Sequence, residues 1–148
     1  AAYFAVRSEN LDGAIAMQGH QAVRDKMNNI KQKQSVHEAT AKDEAEFQTL
    51  QIVNEMMARK IEFLPVDIYK SEAKMFKVED GKIRLPFSSL PGVGGAAADS
   101  LAETGKHTEY LSIEDMQIKT KVTKAVIETL KDVGVLKDLP ESSQMSLF

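Results

Sequence analysis

The residues with the most distinctive chemistry are Leu90-Pro91-Gly92-Val93-Gly94-Gly95-Ala96-Ala97-Ala98. Pro91 fixes its own φ and donates no N–H. Gly92 and Gly94 admit backbone conformations that a Cβ forbids. Gly95 to Thr104 then reads as a helix, with Gly105 as its C-terminal stop. A tight turn feeding a helix leaves the first N–H groups of that helix free. Such groups, at the positive end of the helix dipole, bind anions, and phosphate above all. The chain ends on a second constellation, Gln144-Met145-Ser146-Leu147-Phe148. Its order is amide, apolar, small, apolar, aromatic. Apolar and aromatic residues on a flexible terminus serve as anchors for a partner, or else pack back on their own domain.

The glycine turn has several readings. One is the hairpin of a helix-hairpin-helix motif, which grips DNA phosphates through backbone amides at Gly92, Val93, Gly94, Gly95 and Ala96. A second is a dinucleotide fingerprint, since Gly92-x-Gly94-x-x-Ala97 fits its loose form. That reading needs a preceding strand and a βαβ unit, and Pro86 and Pro91 interrupt the approach. A third is a base-excision glycosylase hairpin, against which Gly95, Ala96 and Ala97 stand where a lysine is needed. The bland reading is a tight turn before a buried helix. A second hairpin is suggested at Thr120-Lys121-Val122-Thr123-Lys124. It lacks glycines, and Lys121, Thr123 and Lys124 would supply side chains where the first hairpin supplies amides.

Composition narrows the function classes. The 148 residues are enough for one domain or two small ones, and for a real core. There is no cysteine, which excludes disulfides, zinc–thiolate sites and cysteine nucleophiles. No apolar run approaches membrane-spanning length and no signal peptide is visible, so a cytoplasmic protein with no membrane partner is expected. The net charge of −3 argues against a protein coated in basic residues. DNA affinity would come from a small patch together with backbone amides. His20, His37 and His107 are scattered and form no ligand set, so neither a catalytic residue nor a metal site is assigned. The chain begins at Ala1, in the middle of the pattern Tyr3-Phe4-Ala5-Val6-Arg7, and reads as part of a longer protein.

Several elements must position these residues. Tyr3 to Arg7 reads as a short strand or a helix end. A helix is expected from Leu11 to Lys33, weakened at Gly19, with Ile15, Val23, Met27 and Ile30 on one face. Thr40 and Asp43 form a capping box for a helix reaching about Lys60, striped by Phe47, Leu50, Val53, Met57 and Ile61. The period then changes, and residues 61–69 read as extended. Met75 to Val78 and Lys82 to Leu85 flank Glu79-Asp80-Gly81, a strong signal for a two-stranded antiparallel hairpin. Its Lys77, Lys82 and Arg84 either approach a phosphate backbone or protect a strand edge. Ser112 with Asp115 caps a short helix from Ile113 to Lys119. A further helix ends near Val133, with Gly134 at its C′ position.

Together these pieces resemble the C-terminal end of a bacterial family C replicative DNA polymerase, the PolC-type alpha subunit of DNA polymerase III. The resemblance covers the whole chain. It rests on Ala1-Ala2-Tyr3-Phe4-Ala5-Val6-Arg7, Asp67-Ile68-Tyr69-Lys70-Ser71, Leu90-Pro91-Gly92-Val93-Gly94, Tyr110-Leu111-Ser112-Ile113-Glu114-Asp115 and Gln144-Met145-Ser146-Leu147-Phe148, in that order. It implies a mainly α fold. Residues 1–60 would be late helices of the fingers region. Residues 61–139 would be a duplex-binding domain with a small β-hairpin and tandem helix-hairpin-helix motifs. Residues 140–148 would be a flexible tail that docks in the bacterial sliding clamp through Gln144, Met145, Ser146, Leu147 and Phe148, with Met145 where leucine is more usual. The resemblance places the polymerase magnesium and its carboxylates upstream, beside the partner polymerase domains, and gives none of that role to Asp67, Asp80 or Asp115. No cofactor is expected in this stretch beyond a monovalent cation at the hairpin carbonyls. The implied function is sequence-independent duplex binding and clamp tethering. The alternative is a free-standing DNA-binding or repair adaptor, and a third reading is a structural helical domain with a degenerate glycine turn.

Overall fold

Capping side chains set where most of the helices begin. The computed structural model describes residues 11–142; the expectation for Tyr3 to Arg7 falls outside them. Asp12 caps α1 (Gly13–Met17), its carboxylate accepting from Ala14 N at 3.0 Å and Ile15 N at 3.3 Å. The helix expected from residue 11 to 33 breaks at Gly19, whose φ is +105°. The chain resumes as α2 (His20–Ser35). Thr40 and Asp43 form the reciprocal box that opens α3 (Ala41–Ala58): Asp43 N donates to the threonine hydroxyl, and Thr40 N to the carboxylate. That backbone N–H bond from Thr40 is the main reason Asp43 is held below the usual carboxylate range. Val23 and Ile30 of α2 bury against Leu50 and Val53 of α3 in one apolar cluster.

The extended stretch after α3 yields a short strand, β1 (Phe63–Leu64). The hairpin forms as the sequence reads, β2 (Lys77–Glu79) and β3 (Lys82–Arg84), turning through Asp80 at φ +51° and Gly81 at +79°. The sheet has three strands rather than two, because β1 pairs parallel to β3 with Phe63 opposite Ile83. A single 3₁₀ turn, Phe87–Ser89, leads from β3 towards the glycine turn.

Three helices complete the fold: α4 (Gly95–His107), α5 (Ile113–Thr120) and α6 (Lys124–Asp132). Gly105 does not stop α4. It lies buried inside the helix, where an added Cβ would overlap the Ile68 carbonyl oxygen. Its role is close approach of helix to loop, not a left-handed cap. Gly134 does end α6. At φ +83° it donates to Lys131 O, and Val135 N donates to Leu130 O, the two bonds of a Schellman motif. The buried cluster runs without interruption from Leu11 to Leu136. The early helices and the glycine-turn region therefore share one core.

Candidate nucleic-acid interface

Leu90 to Gly94 make a turn whose apolar residue faces inward and whose backbone faces out. Leu90 and Val93 are buried, and Val93 N donates to Leu90 O at 3.1 Å. Gly92 carries φ +87°, a conformation a β-carbon makes costly. Gly94, expected to share that requirement, does not: it sits at φ −74°, ψ 172°, as the N-cap of α4. Nothing lies within 4 Å of a Cβ built on it. What Gly94 leaves is open space. No side chain caps α4, and the first intrahelical acceptance from its N-terminus is Ala98 N to Gly94 O. The N–H groups of Gly95 and Ala96 are exposed with their residues.

The second hairpin repeats this construction. Lys121 takes the place of Gly92, with φ +61°. Val122 is buried like Val93. Thr123 is the N-cap of α6 at φ −76°, ψ 164°, close to the Gly94 values. The repeat extends down both helices at one constant spacing: Ala96 with Ala125, Asp99 with Glu128, Ser100 with Thr129, Leu101 with Leu130, Gly105 with Gly134. The two motifs also touch reciprocally. The Ser100 hydroxyl on α4 donates to the Thr120 carbonyl, at the edge of the second hairpin. On α6, the matching Thr129 Oγ1 lies 3.4 Å from where a Cβ on Gly92 would be. The lack of glycine makes the second hairpin hard to see in the sequence. The signal that marks it is this spacing of Val, Ala, hydroxyl and Leu.

The hairpins differ in what they offer an anion. At the first, bare amides are exposed. At the second, the Thr123 hydroxyl already accepts from Val126 N at 3.3 Å, and Lys121 and Lys124 stand exposed on either side with no ion pair among the described residues. Neither α4 nor α6 has an acidic residue in its first turn, whereas α3 has Asp43 and Glu44 and α5 has Glu114 and Asp115. The hairpin helices thus keep their positive ends uncompensated.

The basic residues of the β-hairpin are placed otherwise than a phosphate role requires. Arg84 is buried and forks onto Glu79, Nε to Oε2 at 2.7 Å and Nη2 to Oε1 at 2.9 Å, with Nη1 donating to Pro65 O. Lys82 pairs with Glu62 at 2.9 Å. Lys77 alone of the three is exposed with no ion pair among the described residues. The aspartates set aside earlier have structural work. Asp67 accepts from Tyr69 N and Lys70 N, Asp80 occupies the hairpin turn, and Asp115 accepts from Leu111 N and pairs with Lys119. Among the described residues no group of three His, Cys, Asp or Glu side chains is arranged to hold a metal ion. A cleft of about 450 Å³ beside the first hairpin is lined by Lys26 and Lys42, but also by Asp12, Asp43 and Glu46, which makes it poorly suited to phosphate.

Pro140 and Glu141, where the sequence suggests a tail begins, are fastened to the second motif. Their carbonyls accept from Ile113 N at 2.8 Å and Glu114 N at 3.1 Å, and the Glu141 carboxylate pairs with Lys131 at 3.1 Å. Gln144 to Phe148 lie outside the described residues. No described helix is long and apolar enough to cross a membrane.

Comparison with known proteins follows the same lines. A family described as a helix-hairpin-helix motif matches residues 60–145. The PolC-type DNA polymerase III of Thermotoga maritima is 36% identical over 148 residues, covering 100% of this chain and 11% of the relative. That of Clostridium perfringens is 40% identical over 146 residues, covering 99% and 10%. That of Halalkalibacterium halodurans is 39% identical over 148 residues, covering 100% and 10%. The chain spans about a tenth of the length of these curated relatives.

Proposed function

The chain belongs to the helix-hairpin-helix family, and from that premise we propose that it holds duplex DNA, independent of sequence, as part of a replicative DNA polymerase. The observation that carries this reading is the paired hairpin. Two turns with the same buried valine and the same cap geometry present uncompensated helix N-termini, one with bare amides and one flanked by Lys121 and Lys124. Amides and ammonium groups at such points hold phosphate oxygens and carry no base information. That suits a replicase, which must grip any sequence. The identity to PolC-type polymerases along the whole chain supports the assignment to that assembly.

In this reading residues 1–60 are the late fingers helices, 61–139 the duplex-binding part, and Gln144 to Phe148 a sliding-clamp peptide. Met145, Leu147 and Phe148 would fill an apolar groove, with Gln144 bonded at its rim. The bonds from Pro140 and Glu141 to α5 fix the root from which that peptide leaves. Tethering beside bound DNA raises the effective concentration of the clamp contact. Nucleotide transfer belongs to upstream carboxylates and their magnesium, so the chain by itself extends no primer.

The test is a calorimetric titration of the chain, and of a variant lacking Gln144 to Phe148, against a PolC-type organism's sliding clamp, alongside duplex binding. Loss of clamp binding with duplex binding retained supports the reading. Clamp binding unchanged by the deletion refutes the tail assignment, and absence of duplex binding refutes the hairpin assignment.

A further inference from the structure

The helical turn that enters each hairpin is tied at its start in the same way. In the second motif, Ile113 N donates to Pro140 O at 2.8 Å and Glu114 N to Glu141 O at 3.1 Å. Two consecutive carbonyls thus take the first two N–H groups of α5. In the first motif, Phe87 N donates to Glu72 O at 3.0 Å and Ser88 N to Ala73 O at 2.9 Å. Two consecutive carbonyls again take the first two N–H groups, here of the 3₁₀ turn that leads into Leu90. Each clasp also reaches the helix that leaves the hairpin. Glu72 pairs with Lys106 in the last turn of α4 at 3.0 Å, and Glu141 with Lys131 in the last turn of α6 at 3.1 Å. The repeated sequence does not carry this device. At the spacing that matches Ala96 with Ala125, neither the two glutamates nor the two lysines correspond. Packing sets it.

The clasp matters most at α5. That helix has eight residues, too few to be stable by itself. Its first N–H groups need acceptors from outside the helix. Ser112 Oγ accepts from Asp115 N, and the clasp supplies the acceptors for Ile113 and Glu114. At its other end, about 12 Å away at 1.5 Å per residue, α5 closes on Lys121. The Lys121 N–H donates to Gln117 O at 2.8 Å, and its φ is +61°. The clasp therefore holds one end of a two-turn helix, and the other end carries Lys121. We infer that Pro140 and Glu141 are positioning residues of the second hairpin: they hold α5 against α6 and so set where Lys121 and Lys124 stand. This rests on the duplex-binding reading above. It makes the root of the tail part of the DNA grip, the counterpart of Glu72 and Ala73 in the first motif.

The experiment is fluorescence anisotropy of a labelled duplex with the full chain and with chains ending at Ser142 and at Leu139. Ending at Ser142 should leave affinity within about twofold of wild type. Ending at Leu139 should weaken binding about three- to tenfold, equally for unrelated sequences, and lower the salt slope by roughly one to two. In Lys121→Gln/Lys124→Gln the same shortening should change affinity by less than about twofold, because the groups it positions are gone. An equal weakening in that background overturns the inference, since the loss then belongs to the fold as a whole. Wild-type affinity on ending at Leu139, or an equal loss on ending at Ser142, overturns it as well. Hydrogen exchange on the full chain reads the same coupling without shortening it. Binding and clasp must stabilise each other reciprocally. Saturating duplex should slow exchange at the Ile113 and Glu114 amides severalfold in wild type and leave it unchanged in Lys121→Gln/Lys124→Gln. Where the chain ending at Leu139 fails to fold, this measurement decides, and exchange that duplex does not slow overturns the inference. A wild-type chain that binds no duplex overturns the underlying reading instead.

Discussion

Gly92 and Lys121 hold the same left-handed turn, at φ +87° and +61°, each two residues before the cap of the following helix. A glycine adopts that conformation freely, whereas a lysine is strained there by about 1–2 kcal/mol. Lys121→Gly should therefore stabilise the fold, by about 0.5–1 kcal/mol once the freer unfolded chain is counted, while weakening duplex binding. Urea denaturation and a DNA titration on the same samples read the two effects. A variant that gains stability and binds as before would show that the charge at 121 has no part in the grip.

Gly105 gives the sharpest packing prediction. A methyl group there overlaps the Ile68 carbonyl oxygen, which belongs to backbone and has no rotamer to relieve it. Gly105→Ala should cost about 3 kcal/mol, at the upper end for overpacked sites. A thermal midpoint within a degree of wild type would contradict the close approach of α4 to that loop.

That glycine also shows what local sequence conveys and what it does not. Gly105 and Gly134 occupy the same place in the repeat, and the sequence reads both as helix stops. One is a stop; the other lets a helix lie against the turn at Ile68 and Tyr69, a contact no local pattern encodes. The capping box of Thr40 and Asp43, the Asp80-Gly81 hairpin and the cap at Ser112 were legible because each closes within a few residues. The pairing of β1 with β3 and the approach of α4 to Ile68 were not, because both are set by tertiary packing. At the candidate site, the amide-bearing turn was legible and the symmetry of its partner was obscured by lysine and threonine standing in for glycine.

Glu79 is held below the usual carboxylate range, chiefly by its hydrogen bonds to Arg84. A depressed folded value means its contribution is present above the unfolded carboxylate range and is lost as pH falls through the folded one. Glu79→Gln should cost roughly 1–2 kcal/mol at neutral pH, allowing for the solvent that reaches the carboxylate. The deficit should shrink below about pH 4, as denaturation curves at a series of pH values would show. A constant deficit across that range would mean the ion pair contributes nothing.

Glu46 carries the opposite sign. Burial pushes its carboxyl up, and Oε1 has no hydrogen-bond partner, Lys26 standing 3.7 Å away. A raised folded value destabilises the native state at neutral pH and relaxes as pH falls through it. Glu46→Gln should raise the thermal midpoint at pH 7, with a gain that vanishes in acid. A lower midpoint at pH 7 would assign the carboxylate a stabilising partner.

Two hairpins that hold duplex phosphates without reading sequence must show it in the slope of log binding constant against log salt for unrelated duplexes. The wild-type chain should release on the order of two to four counterions with every sequence. Lys121→Gln/Lys124→Gln should lower that number by about two and weaken all duplexes alike. A slope unchanged in the double variant, or a loss confined to one sequence, would mean that the hairpins do not hold the duplex in this way.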